Sequence, residues 1–253
     1  MKINEKAVSE AIGFILILGI VISGIGLVTL YGYPVLVKEQ SNTDVKNMER
    51  AMIVIQNDMK SLCFKNVPYK ETSLQVSGGT LAVIGADPST PGFSISAKDF
   101  GPIEFHPGAL VYRSDRGTEV ITLENGAVMT RQEDARGSAM LAEPRWFYDV
   151  DTTTTPPTTT FVVYIMNIST DEPMAKSGMT TVRMSLENMT IHKPPGDAES
   201  VIVEYPDDAD NSVAWKNYLT GSSLKMDDSG GTYTRSDVMK LVVKEYEIKI
   251  HGI

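Results

Sequence analysis

The stretch that decides the fold runs from Glu10 to Lys38 and reads EAIGFILILGIVISGIGLVTLYGYPVLVK. Between these two charged residues lie 27 residues whose only ionisable groups are two tyrosines. An α-helix of that length spans about 40 Å, which exceeds the roughly 30 Å of a bilayer's hydrocarbon core. The stretch is also about twice as long as the apolar region of a cleaved secretory signal. We therefore expect a helix that is retained and crosses a membrane.

The distribution of charge around this helix predicts its orientation. The chain has a net charge of -9, whereas its first seven residues hold Lys2 and Lys6 against Glu5. A basic head before the apolar run places the N-terminus in the cytoplasm and the C-terminal part outside the cell membrane. The acidic remainder excludes nucleic acid as a natural partner, because it would repel the phosphate backbone.

Small residues interrupt the aliphatic run. They are Gly13, Gly19, Ser23, Gly24 and Gly26, and Gly19 with Ser23 forms a small-xxx-small pair that lets two helix backbones approach closely. Two interpretations stay open: packing against another helix, or the glycine content that is ordinary for membrane helices. Pro34 predicts a kink near Leu30, because proline removes one backbone donor.

The run Lys6-Ala7-Val8-Ser9-Glu10-Ala11-Ile12-Gly13 resembles the start of an archaeal type IV pilin-like precursor, the archaellin and pilin type with a class III signal peptide. In that family a short charged head ends in Lys or Arg plus a small residue, and a prepilin peptidase cuts on the cytoplasmic side. The resemblance implies a processing site at Lys6, Ala7 and Val8, with the cut between Ala7 and Val8. It also implies assembly with self or related pilin subunits through the apolar helix.

Glu10 has two interpretations within this resemblance. It neutralises the new amino terminus of a neighbouring subunit, or it stabilises the N-terminal end of its own helix through the macrodipole. Many archaeal pilins carry Pro at this position. Bacterial pilins carry Glu at the fifth mature position, where this chain has Ile12.

Past the membrane the apolar residues keep a helical period. Their spacing of 3, 4, 3, 4 and 3 predicts an amphipathic helix, capped by Ser41 or Asn42 and bounded by Pro68, with a seam made of Val45, Met48, Met52, Ile55, Met59 and Leu62. The seam covers the sheet of the following domain, or meets another subunit, and the two are not exclusive. The single cysteine, Cys63, is expected to pack as a small hydrophobe, against the alternative of an intermolecular bridge or a reactive thiol.

After Pro68 the apolar period becomes two, which is typical of β-strands. Gly78-Gly79 and Asn125-Gly126 predict the turns of two hairpins, 73–84 and 118–131. FSISA, IEFH and ALVYR predict short strands between them, and the apolar run 161–168 predicts a strand buried on both faces. Residues 151–160 predict an exposed loop.

The C-terminal third combines strands with one short helix. A slip in the alternation predicts a bulge near Glu187 and Asn188, beyond which Met189 and Ile191 continue the inward face. Strands are predicted at 201–205 and 238–251, and a helix at 212–219 turns Trp215 and Leu219 toward the sheet. The fold class is therefore α+β: a long N-terminal helix, with a membrane half and an amphipathic stalk half, carrying a mostly antiparallel β-sandwich-like ectodomain.

Motifs that would indicate an enzyme are missing from the sequence. His106, His192 and His251 have no metal-ligand spacing, and no cofactor is expected. The acidic runs 207–211 and 227–228 hold a calcium ion or serve capping and solubility. Asn188, at the predicted bulge, and Asn167, at the end of an apolar strand, stand in N-glycosylation sequons, which also arise by chance.

The resemblance, together with the apolar helix, implies a type IV pilin-like structural subunit that assembles into a surface filament or pseudopilus. Its expected parts are a cleaved head (1–7), a transmembrane assembly helix (8–37), a stalk helix (38–66) and an extracellular β-domain (67–253). Its expected partners are membrane lipid, a prepilin peptidase and other pilin subunits, and no ligand of the ectodomain is indicated. The alternatives are a single-pass surface binding protein that does not polymerise, and a membrane-anchored hydrolase.

Overall fold

The computed structural model describes residues 5–65, 67–221 and 223–253, and it describes residues 5–9 and 11 by their backbone alone. Its α-helices are α1 (Glu5–Leu27), α2 (Tyr33–Lys65) and α3 (Ser212–Thr220). The strands are β1 (Tyr69–Ile84), β2 (Phe93–Ala97), β3 (Phe100–Phe105), β4 (Ala109–Ser114), β5 (Glu119–Glu124), β6 (Ala127–Gln132), β7 (Ser138–Ala142), β8 (Phe147–Asp151), β9 (Thr158–Ser169), β10 (Met174–His192), β11 (Glu199–Glu204), β12 (Asp227–Asp228), β13 (Thr232–Val238) and β14 (Lys240–Gly252). The fold is α+β, as predicted.

The chain forms two compact units, Met1–Thr43 and Asp44–Ile253. In the first unit, α1 is followed by one wide π-helical turn, Val28–Gly32, and then by the start of α2. The N–H of Tyr33 donates to the carbonyl of Val28, five residues back. The irregularity lies where Pro34 predicts one. Helix α2 continues through Ser41 and Asn42, so the prediction that either residue caps a new helix is wrong.

The second unit has three layers. A nine-stranded sheet in the order β7-β6-β5-β4-β1-β10-β14-β9-β8 forms the middle layer, and a five-stranded sheet in the order β12-β13-β11-β2-β3 lies beside it. Among the strands that the structure describes, β14 and β9 pair in parallel and the other pairs are antiparallel. One apolar core joins helix α2 to the large sheet, and a second core joins the other face of that sheet to the small sheet and α3.

The predicted seam of α2 belongs to the first core. Its six residues are all buried, and they pack among side chains of β1, β9, β10 and β14. Of the two interpretations of the seam, this packing agrees with the one in which it covers the sheet of the following domain. Gln56 lies beside the seam and is also buried, and it hydrogen-bonds the carbonyls of Gly126 and Glu143. Cys63 is free and buried, and burial raises the pKa of its thiol to about 12.

Strand β9 is buried on both faces, as its apolar run predicts. Val162, Tyr164 and Met166 point into the core with α2, while Phe161 and Val163 point into the core with the small sheet. The predicted hairpin at Asn125-Gly126 is also confirmed, since β5 and β6 pair directly on either side of that two-residue turn. Both turn residues have the positive φ that such a turn requires.

The hairpin predicted at Gly78-Gly79 is wrong. Residues on both sides of it belong to the single strand β1 and pair with β10, with a register irregularity between Val76 and Leu81. The glycines serve this bulge: Gly78 has a φ of +61°, and at Gly79 a Cβ would come within 2.3 Å of the Arg113 carbonyl. Glycine adopts the backbone conformations of a hairpin turn and those of a β-bulge equally well, and here the two glycines form a bulge within one continuous strand.

Of the other predictions for this domain, some are confirmed and some are wrong. The bulge near Glu187 is confirmed, because Leu186 and Asn188 pair with consecutive residues of β14. The inward continuation beyond it is wrong: Met189 and Ile191 are 49% and 46% exposed. The predicted loop 151–160 is shorter, since Thr158–Ser169 is already strand β9.

Candidate functional site

The first candidate site is the apolar helix. Ile12–Lys65 is a helix long and apolar enough to cross a membrane, and no residue of its most apolar window is buried. Large apolar side chains in this part of the helix, Phe14 and Ile15 among them, are exposed. Such a surface needs lipid or another apolar surface as its environment.

The predicted assembly residues all lie on this helix. At Gly13, Gly19, Gly24 and Gly26, an added Cβ would meet no atom within 4 Å apart from its chain neighbours and the adjacent backbone of its own helix. Glu10 and Ser23 are exposed. The structure therefore leaves the backbone of the small-xxx-small pair accessible from outside the chain, which is what close helix packing requires.

The predicted processing site falls at the margin of the structure. Residues 1–4 of the head lie outside the described residues. Lys6, Ala7 and Val8 have helical backbone within α1, and their side chains lie outside the described part. The predicted cut between Ala7 and Val8 stays a prediction.

The two sequons differ in accessibility. Asn188 is exposed beside the bulge of β10, and its side chain accepts a hydrogen bond from the N–H of Met189. Asn167 is only partly exposed, and its Oδ1 accepts a hydrogen bond from Gly108. Asn188 is therefore the better placed of the two for modification.

The three histidines lie apart in the fold. His106 contacts the carbonyl of Thr90 at 2.7 Å, His192 contacts the carboxylate of Glu245 at 3.1 Å, and His251 contacts Ser185 at 2.7 Å. Within the ranges that the structure describes, no three His, Cys, Asp or Glu side chains are grouped to hold a metal ion.

A second candidate site, which the sequence did not reveal, is an acidic cleft in the β-domain. Its floor is the face of β4 and β5 that the small sheet leaves uncovered, formed by three directly paired couples: Ala109 with Glu124, Val111 with Thr122, and Arg113 with Val120. Its walls are the segments around Pro91 and 205–211. This inner compartment has a volume of about 280 Å³ and adjoins an outer one of about 650 Å³.

Glu124 is the polar residue at the inner end of the floor. The indole Nε1 of Trp215, on α3, donates to its carboxylate at 3.3 Å. Burial raises the pKa of Glu124 to about 7, although hydrogen bonds from Trp215, Asn211 and Tyr205 act in the opposite direction. Asp210 raises it further through its negative charge. A carboxylate so placed changes its charge near neutral pH.

Asn211 stands over the same compartment at the start of α3. It is only 5% exposed, and its Oδ1 has no hydrogen-bond partner among the described residues. A buried acceptor without a partner is uncommon and costs free energy. Nearby, Arg131 of β6, which also lines the compartment, forms an ion pair of 2.6 Å with Asp210 of the wall.

The cleft escaped sequence reasoning for a definite reason. Asn125-Gly126 carries the clearest hairpin signal in the chain, and that signal says nothing about the environment of Glu124, the residue before it. Its hydrogen-bond partners Tyr205, Asn211 and Trp215 lie 81 to 91 positions away, and no local pattern connects them to it. The available signal was a carboxylate directly after the apolar strand 120–123.

Within the residues that the structure describes, the chain has one helix long and apolar enough to cross a membrane, followed by a β-rich domain. The chain belongs to DUF7289, a family of unknown function, whose model matches residues 6–249. The match takes in the apolar helix and the β-domain together. No curated protein and no solved structure matches the chain.

Proposed function

We propose that the protein is a type IV pilin-like structural subunit, inserted in the cell membrane as a precursor and assembled into a surface filament or pseudopilus through its apolar helix. The observation that carries the proposal is that the two parts of one helical run have different surroundings. No residue of its apolar window is buried, whereas the six seam residues of α2, between Val45 and Leu62, pack in the core of the β-domain.

The pilin-like start of the sequence supports the same function. A helix with accessible glycine backbone suits packing against copies of itself, and a filament removes its apolar surface from lipid without exposing it to water. In this proposal the N-terminus is cytoplasmic, a prepilin peptidase removes residues 1–7, and the β-domain is extracellular. The protein acts by assembly, not by catalysis.

Processing is the first test. The full chain is produced in a host that supplies a prepilin peptidase, and its intact mass is measured after isolation from the membrane. The expected product begins at Val8, and replacement of Ala7 and Val8 by bulky charged residues blocks the cut. A wild-type protein that keeps Met1 under these conditions overturns the proposal.

Assembly is the second test. Gly19→Ile fills the small-xxx-small surface and should abolish sheared filaments or detergent-resistant oligomers, while the processed subunit still accumulates. Val21→Leu, on the opposite side of the same helix, is the matched control and should assemble normally. Equal assembly of both variants argues against packing through Gly19.

A non-polymerising surface protein is the alternative, and the acidic cleft is the observation that favours it. It predicts an intact Met1 and monomers in detergent for wild type and Gly19→Ile alike. The two tests therefore separate the candidates without knowledge of any ligand.

A further inference from the structure

The acidic cleft has the size and composition of a ligand site. Pockets for small molecules occupy about 300 to 1,000 Å³ and combine apolar walls with a few polar groups. Here the apolar part is a small buried cluster of Ala109, Val111 and Val120, and the polar part is gathered around Glu124 and Asn211. The cleft belongs to the β-domain alone.

The charge of the lining selects a cation. Among the described residues, five lining carboxylates form no salt bridge, namely those of Glu104, Glu124, Glu204, Asp207 and Asp208. The two lining arginines are already paired, Arg113 with Glu133 and Arg131 with Asp210. The field within the cleft therefore attracts positive charge.

The acceptor of Asn211, unpaired among the described residues, favours a ligand that carries hydrogen-bond donors. Oδ1 of Asn211 is an acceptor without a partner among the described residues, and it belongs to a side chain that is almost fully buried. This observation is independent of the carboxylates. An ammonium group offers three N–H donors and no acceptor, so it satisfies both requirements at once.

The spacing of the carboxylates disfavours a metal ion as occupant. In the part of the chain that the structure describes, no three of them converge as ligands. An organic cation needs no such convergence, and its hydrocarbon part would lie on Val111 and Val120. We infer that the cleft binds a primary ammonium group carried on an aliphatic chain, with the ammonium donating to Oδ1 of Asn211 and to the carboxylate of Glu124.

This inference does not depend on filament assembly. A free diamine and a lysine side chain share the chemistry, and both are tested. The full chain in detergent is titrated calorimetrically with 1,5-diaminopentane and with Nα-acetyl-lysine methylamide. Saturable binding of either supports the site, and the tighter of the two identifies the source. 1,5-Pentanediol, of the same length but neutral, should give no saturable heat.

Variants locate the binding. Glu124→Gln keeps the shape of the side chain and should weaken the tighter ligand at least tenfold, as should Asn211→Ala. Asn211 makes no side-chain capping bond to α3, so its loss leaves the helix start intact. Asp208→Asn, at the exposed rim, should weaken binding less and cannot disturb the core. Glu172→Gln removes the same charge outside the cleft and should bind as wild type.

Three results overturn the inference: no binding of either amine by the folded wild type, equal binding of pentanediol, or equal affinity in wild type, Glu124→Gln, Asn211→Ala and Asp208→Asn. Calcium chloride is titrated in parallel. Saturable calcium binding that Glu124→Gln abolishes, without amine binding, assigns the cleft to a metal and overturns the inference as well.

Discussion

Gln56 of helix α2 donates from Nε2 to the carbonyl of Gly126 at 2.6 Å and to that of Glu143 at 3.0 Å. It thereby ties the helix to the turn between β5 and β6. The same turn carries Asn125, whose Oδ1 accepts the N–H of Met166 at 2.9 Å. The turn is thus held from the helix side, and the residue before it, Glu124, lines the cleft.

Gln56→Leu is expected to destabilise the domain by roughly 1 to 3 kcal/mol, because it leaves the buried Gly126 carbonyl without its donor. The measurement is the free energy of unfolding by denaturant. Asn57→Leu, on the exposed side of the same helical turn, is the control and should change it little. Equal effects of the two variants would mean that the Gln56 bonds do not stabilise the fold.

Met52→Ala is expected to cost about 2 to 5 kcal/mol, since Met52 is fully buried in the core between α2 and the sheet. Val54→Ala, at an exposed position two residues on, should cost much less. The measurement is thermal unfolding of the full chain in detergent at a concentration where it is monomeric. An effect in the monomer as small as that of Val54→Ala would show that the seam does not stabilise the domain through this core.

Glu124 makes the stability of the domain pH-dependent. Burial raises its pKa from 4.5 to about 7, so the folded state binds the proton more tightly than the unfolded state. The resulting stabilisation is complete below pH 4.5 and disappears as the pH rises through 7; its size is on the order of 1 to 3 kcal/mol. Glu124→Gln should remove this part of the pH dependence of the free energy of unfolding, whereas Glu172→Gln should keep it.

Cys63 is expected to resist thiol reagents in the folded protein. Its burial, and the raised pKa that follows from it, leave very little accessible thiolate. Maleimide labelling at neutral pH should be roughly a hundredfold slower than at an exposed cysteine, and denaturant should abolish the difference. Gln75→Cys in a Cys63→Ser background supplies that exposed control. Rapid labelling of the native protein would show that Cys63 is open to solvent.

Elements defined by a local period were predictable from the sequence. The 3-4 spacing of the seam, the Asn-Gly turn, the apolar run of β9 and the helix that carries Trp215 each have a signal within a few residues. The hairpin predicted at Gly78-Gly79 is wrong because two glycines permit a hairpin turn and a β-bulge equally well. Only pairing with β10, about a hundred residues away, decides between them.

The architecture and the cleft depended on contacts that no local pattern contains. The parallel pairing of β14 with β9 and the packing of the small sheet are tertiary choices. The accessible glycines of α1 were predicted as a set, since small residues in an apolar run are visible directly. The hydrogen bonds of Glu124 with Asn211 and Trp215 could not be predicted, because they connect a turn with a helix that begins 88 residues later.

Strand β14 lies between β10 and β9 in the nine-stranded sheet. It is the last of the fourteen strands to be synthesised, yet it joins the β7-to-β10 part of that sheet to β9 and β8. Until it arrives, two long strands have unpaired edges, and such edges readily pair with other chains. The apolar helix leaves the ribosome long before that moment. The interval between the synthesis of β9 and that of β14 is therefore the period in which these two edges are open to pairing with other chains.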